Sequence, residues 1–255
     1  MSAVARDEQQ QPLTEHLGEL RKRIIYSLVY FAAAVIIGFV FAGRVVDELK
    51  RTAVAQQIEL HVFAMPDALA VYMKVALALG VILSVPFILY QVWAFAKPGL
   101  REREQKIALR FIPAATVLFV IGLGFAYFIL FPMITRFMLV MTKTLQVQEM
   151  IGLTQYFNFM FSIVFPFGVL FELPVIVVFL TKIRALNPVR LAKMRKLAYF
   201  TLIVTAVILT PPEIISDILV AGPLLLLYEL SIILSKRVYK KQQREDEKNH
   251  LDQSE

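Results

Sequence analysis

The amino-acid sequence predicts an all-α polytopic membrane protein with six transmembrane helices, kinked, the last two short, and both termini in the cytoplasm. Three observations carry this reading. Apolar residues make up 58% of the 255 residues and charged residues only 18%, with a mean hydropathy of +0.65. A soluble domain is roughly 45–50% apolar and about 25% charged. The apolar excess is also cut into runs of bilayer length, and lysine and arginine gather on one side of those runs.

Residues 1–23 read as a cytoplasmic amphipathic segment. Asp7, Glu8, Glu15 and Glu19 argue against a transit peptide, and no small-residue cleavage site follows the first apolar run. A hydrocarbon core about 30 Å thick takes about 20 helical residues. Stretches free of Asp, Glu, Lys and Arg therefore mark the spans: Ile24–Gly43, Val75–Ala96, Phe111–Thr135 and Met150–Phe171, of 20, 22, 25 and 22 residues. Leu197–Pro212 and Ile214–Ser235 follow, separated at Thr210-Pro211-Pro212-Glu213. Two short helices about a Pro-Pro turn fit this better than one long helix, because proline removes a donor and clashes with the preceding turn. The fifth helix, over Leu197–Thr210, is only about 21 Å long at about 1.5 Å per residue. The spans make up a domain over 24–235, and 236–255 is a charged cytoplasmic tail.

Pro86, Pro113, Pro166, Pro174 and Pro223 fall in or near these spans. Each interior proline leaves a carbonyl unserved four residues earlier, so kinks are expected around Ile82, Leu170 and Leu219. Between the first two spans, the apolar spacing of Arg44–Leu60 predicts an amphipathic helix on the outer surface. Twenty-one basic residues lie on the side of the N-terminus and tail, against five on the other. The positive-inside rule turns that asymmetry into cytoplasmic termini. The net charge of +7 is accounted for by a cytoplasmic face beside anionic lipid, without nucleic acid.

Catalytic signatures are missing. With no cysteine and three scattered histidines, no thiolate or histidine spacing suits a metal. No phosphate-binding glycine loop, nucleophile elbow or H-E-x-x-H is present, which excludes an ATPase on this chain and predicts no enzyme, no metal and no cofactor. Acidic residues within the basic face draw attention instead. They lie in Leu13-Thr-Glu-His-Leu-Gly-Glu-Leu-Arg-Lys-Arg23 and in Pro98-Gly-Leu-Arg-Glu-Arg-Glu-Gln-Lys106. The bland reading pairs Glu19 with Arg23 and Glu102 with Lys106 at i,i+4, worth about 0.3–0.5 kcal/mol each. Glu172 is expected in the fourth span, about eight residues, roughly 12 Å, from its cytoplasmic end. An acid at that depth costs at least about 2.5–3.5 kcal/mol, and such residues face a bundle interior or a polar cavity.

Five motifs then resemble one family in matching order, from about Pro12 to Lys236: His16-Leu-Gly-Glu-Leu-Arg-Lys-Arg23, Pro86-Phe-Ile-Leu-Tyr-Gln-Val-Trp-Ala-Phe-Ala-Lys-Pro-Gly-Leu100, Phe125-Ala-Tyr-Phe, Phe167-Gly-Val-Leu-Phe-Glu-Leu-Pro174 and Leu209-Thr-Pro-Pro-Glu213. The chain resembles TatC, the receptor subunit of the twin-arginine protein translocase of prokaryotic cytoplasmic membranes. The resemblance implies transport of folded proteins driven by the proton-motive force. It implies that Glu19 and Glu104 receive the paired arginines of the signal peptide, with Arg21 and Phe95 supporting the site. It makes Glu172 a polar notch where a partner's transmembrane helix docks. The implied partners are twin-arginine signal peptides of folded cargo, single-span TatA-type subunits, further copies of the chain and membrane lipid, with no nucleic acid. The chain departs from the family in lacking a proline in Arg44–Leu60 and in carrying Asp217 four residues after Glu213.

Two charge-assisted contacts of roughly 1.5–3 kcal/mol each give about 3–6 kcal/mol before any association cost, which leaves about millimolar affinity or weaker. The apolar part of the signal must therefore be buried as well. Two rival readings stand beside this one. A proton-coupled secondary transporter of a small solute would use Glu172 as its proton carrier, but such proteins commonly show internal repeats, and none is visible here. The other rival is a passive scaffold that only organises partners.

Overall fold

The computed structural model describes residues 13–51, 58, 60–99, 102–144, 150–209 and 214–251. Its helices are α1 (Leu13–Lys50), α2 (Asp67–Ala96), α3 (Glu102–Phe125), α4 (Phe131–Thr144), α5 (Leu153–Leu170), α6 (Leu173–Lys182), α7 (Pro188–Lys193), α8 (Arg195–Leu209) and α9 (Ile214–Leu251). Five segments are long and apolar enough to cross a membrane: Leu17–Lys50, Asp67–Gly99, Glu104–Thr144, Leu153–Lys182 and Ile215–Arg244. The chain divides into two compact units. One is built from the chain up to Asp47 and from Tyr72–Ile112, the other from Glu48–Val71 and from Pro113 onward.

In the first unit, α1 meets α2 along small residues. A Cβ on Gly80 would lie 2.4 Å from Val35 Cγ2, and one on Gly38 would lie 2.6 Å from the Ala76 carbonyl oxygen. Only glycine lets the two backbones approach this closely, as is common between helices in lipid, where water drives no association. Phe39 meets Tyr72 edge-on at 5.4 Å, and Tyr30 stacks on Phe87 at 4.2 Å. The apolar side chains left exposed on α1, among them Ile25, Val29, Ile36 and Val40, form the surface a bilayer would wet.

The second unit is organised around aromatic residues. Phe131, Phe157 and Phe167 are fully buried, and Phe131 meets Tyr156 edge-on at 5.4 Å. Between α3 and α4 the helix widens into a π-turn over Ala126–Leu130, where the Phe131 amide donates to the Ala126 carbonyl. Pro132 follows at once and has no amide to continue an ordinary ladder. Gly122 admits Phe171, because a Cβ there would lie 2.7 Å from the Phe171 Cβ. Two segments outside the helices, Leu60–His61 (β1) and Ile151–Gly152 (β2), pair as short parallel strands. Asp67, the first residue of α2, accepts from the amides of Phe63 and Ala64 at 3.1 and 3.0 Å and so holds the preceding turn against the helix.

The all-α reading holds, the β1–β2 pair being only two residues per strand. Several finer expectations need correction. The sixth helix is not short: α9 runs 38 residues, from Ile214 to Leu251. Its charged end continues the helix because residues 236–251 contain no proline or glycine, and Gln242 Nε2 donates to the Lys182 carbonyl at 2.8 Å. Residues 44–50 do not form a separate surface helix but prolong α1 to Lys50, while 52–57 and 59 of that loop lie outside the described residues. Pro86 and Pro223 lie inside α2 and α9, and a kink bends such a helix without ending it. The helix break in this proline set comes at Phe171–Glu172, ahead of Pro174 at the start of α6. The Thr210-Pro-Pro-Glu213 turn lies outside the described residues, as do residues 1–12.

Candidate functional site

Glu19 and Arg23 stand one turn apart on α1, and their pairing at i,i+4 is present. Arg23 donates to Glu19 Oε1 through both Nε, at 3.1 Å, and Nη2. Its remaining nitrogen, Nη1, donates to Gln91 Oε1 at 3.4 Å. Gln91 is a buried polar side chain on α2, so this contact ties the start of the first span to the end of the second. The i,i+4 rule finds the first pair. The second joins residues 68 positions apart, beyond the reach of local spacing.

The loop after α2 is braced across itself. Trp93 Nε1 donates to the Gln105 carbonyl at 3.1 Å, and Gln105 Nε2 donates to the Lys97 carbonyl at 3.0 Å. The Lys97 ammonium lies 5.7 Å from the Trp93 ring centroid, within the range of a cation–π contact. Phe95 is half-buried in the last turn of α2, and Glu104 is half-buried in the first turn of α3, next to the bracing Gln105. Arg21 is exposed on α1. Glu19, Arg21, Phe95 and Glu104 thus belong to one compact unit. The Glu102 side chain lies outside the described residues, so its pairing with Lys106 does too.

Glu172 belongs to the second unit, between α5 and α6. Only 9% of it is exposed, and its Oε1 is buried without a hydrogen-bond partner among the described residues. Its backbone carbonyl accepts from Ile176 at 2.9 Å, which begins α6. An orphaned carboxylate oxygen in an apolar surround is costly.

Sequence reasoning missed a third polar group. Glu229, inside the last apolar run, accepts from Arg195 Nη2 at 2.9 Å and from the Tyr199 hydroxyl. Tyr228 next to it donates to the Leu191 carbonyl at 3.0 Å. These contacts clamp α9 against the start of α8 and the end of α7. The signal available in the sequence was Glu229 itself, an acid in an apolar run, which calls for a cation from a neighbouring helix. On α6 and α9, Thr181 and Ser235 satisfy each other's buried hydroxyls at 2.6 Å.

Five helical segments long and apolar enough to cross a membrane define a multi-pass helical membrane protein. The family model for the Sec-independent protein translocase protein (TatC) matches residues 15–223. TatCy of Bacillus subtilis (strain 168) is 45% identical over 235 residues, covering 92% of each chain. TatC of Halalkalibacterium halodurans is 45% identical over 238 residues, covering 93% of this chain and 94% of its own. A crystal structure of the twin-arginine translocase receptor TatC superposes with a TM-score of 0.77 at 34% identity, over 88% of this chain and 99% of the other. The chain belongs to the TatC family. It is a twin-arginine translocase receptor, a component of a bacterial protein translocase in the membrane and not an enzyme.

Proposed function

We propose that this chain binds twin-arginine signal peptides through Glu19 and Glu104 and commits their folded cargo to transport driven by the proton-motive force. The observation that carries the reading is the engagement of Glu19 by the Arg23 guanidinium. The carboxylate already holds, from within the chain, the group that a twin-arginine peptide brings. A guanidinium is a planar fork matched to carboxylate, whereas an ammonium is a point charge. Glu104 supplies the second acceptor, in the first turn of α3 beside the Trp93–Gln105–Lys97 brace. Phe95 and Arg21 support the site.

Six spans complete the reading: the five long segments and α8, whose 15 residues reach about 22 Å. The bilayer thins beside α8, or its neighbours shelter it. Both termini are cytoplasmic, so 1–23 and 236–255 flank a membrane domain over 24–235. The orphaned Glu172 oxygen is the notch where a single-span TatA-type helix docks through a polar side chain. A chain of 29.1 kDa is too small to enclose a folded protein, so transport requires those partners and further copies of the chain. Crosslinking of a radiolabelled twin-arginine precursor to membranes that contain the chain tests the receptor role. The precursor should crosslink, and its twin-lysine version should not. Equal crosslinking of the two refutes it.

A further inference from the structure

We propose that Arg23 is a resident competitor for the Glu19 carboxylate, anchored by Gln91, and that an incoming guanidinium displaces it while an ammonium does not. The inference rests on the reading of Glu19 as an acceptor for a signal-peptide arginine. It makes Arg23 and Gln91 specificity-determining residues of the receptor.

The geometry points this way for three reasons. Arg23 places two N–H donors on one carboxylate oxygen, Oε1, and no described residue donates to Oε2. A peptide arginine that meets Glu19 in this state reaches one oxygen, whereas fork-to-fork pairing uses both and requires Arg23 to leave. The anchor is specific as well. Gln91 Oε1 holds the third nitrogen, Nη1, from a buried position on another helix. A guanidinium released from Glu19 therefore stays within one side chain's reach and returns when the peptide departs. Finally, the pair is sheltered, with side-chain exposures of 24% and 29%, so mobile ions screen it less than an open surface pair.

Exchange chemistry then sets selectivity. A peptide guanidinium that replaces the Arg23 guanidinium restores every hydrogen bond it breaks, and its remaining contacts supply the net affinity. An ammonium cannot present two parallel donors to a carboxylate and leaves the exchange short. Discrimination is a difference of affinities, and here the internal arginine raises the threshold that each peptide must pass.

The test uses fluorophore-labelled synthetic signal peptides, twin-arginine and twin-lysine, titrated against the purified full chain in lipid nanodiscs. Arg23→Gln should tighten twin-lysine binding and lower the arginine-to-lysine affinity ratio by about tenfold, the effect of one charge-assisted hydrogen bond. Gln91→Leu, which frees the anchor but keeps Arg23, should lower the ratio in the same direction by less. Lys22→Gln removes an equal charge from an exposed neighbour and should keep the wild-type ratio. A wild-type ratio in Gln91→Leu, or an equal fall in Lys22→Gln, overturns the proposal. So does loss of twin-arginine binding in an Arg23→Gln protein with wild-type thermal unfolding. Glu19→Gln separates the two readings. If it binds both peptides as wild type does, the receptor assignment itself fails. If it loses twin-arginine binding while Arg23→Gln keeps the wild-type ratio, only the competition fails.

Discussion

A carboxylate is an acceptor with no donor of its own when ionised, so what Glu19, Glu104 and Glu172 can do depends on which donors reach them. Glu19 faces the guanidinium of Arg23. Replacing Glu19 or Glu104 with alanine should each weaken crosslinking to a twin-arginine precursor at least about tenfold, since each removes a charge-assisted acceptor. Both variants should still insert in the membrane. Glu104→Asp should lose less, because it keeps the carboxylate on a shorter stem. Glu172 has the opposite problem, a buried oxygen with no donor among the described residues. Glu172→Gln, which adds donors and keeps an acceptor, should assemble with a TatA-type partner nearly as wild type does. Glu172→Ala should lose partner crosslinking while peptide binding continues, and unchanged partner crosslinking in that variant sinks the docking role. The carboxylates themselves were legible from motif and depth. Gln91 was not, although it lies within a quoted motif, because its importance comes from a partner on another helix.

Helices in this chain are held by closeness as much as by polar contacts. The α1–α2 crossing has no room for a methyl group at Gly80, where a Cβ would lie 2.4 Å from Val35 Cγ2 and 3.1 Å from the Val35 Cα. The second distance involves backbone and cannot be relieved by a rotamer change. Gly80→Ala should therefore destabilise the detergent-solubilised protein by about 1–3 kcal/mol, the usual cost of overpacking, read as a lower thermal unfolding midpoint. Gly222, which has open space about its Cβ position, should tolerate alanine. The first four spans were legible because unbroken apolar runs of bilayer length have few other uses. Where the helices end was less legible. Composition changes at residue 235, but a backbone hydrogen-bond ladder continues through charged residues as readily as apolar ones, so α9 runs to Leu251. The π-turn at Ala126–Leu130 and the β1–β2 pair likewise follow from backbone partners, to which hydropathy is blind.

For the molecule as a whole, orientation is the property most open to test. In the proposed orientation the α2–α3 and α6–α8 connections face the cytoplasm. The chain has no cysteine, so single cysteines can be introduced at Gln56, Lys193, Arg103 or Gln146 and probed with an impermeant thiol reagent in intact cells. Labelling at 56 and 146, with protection at 103 and 193, is the expected result, and the reverse pattern overturns the orientation. By itself the sequence determined the membrane class, the spans that hold a bilayer's length of apolar residues, and the family. Each of these depends on composition and order along the chain, which folding does not alter. Tertiary structure alone decided that Arg23 also reaches Gln91, that Glu229 meets Arg195 and Tyr199, and that Glu172 keeps an oxygen without a donor among the described residues. Those facts belong to pairs of helices. A side chain's partner on another helix is set by packing across tens of residues, and no local period in the sequence records it.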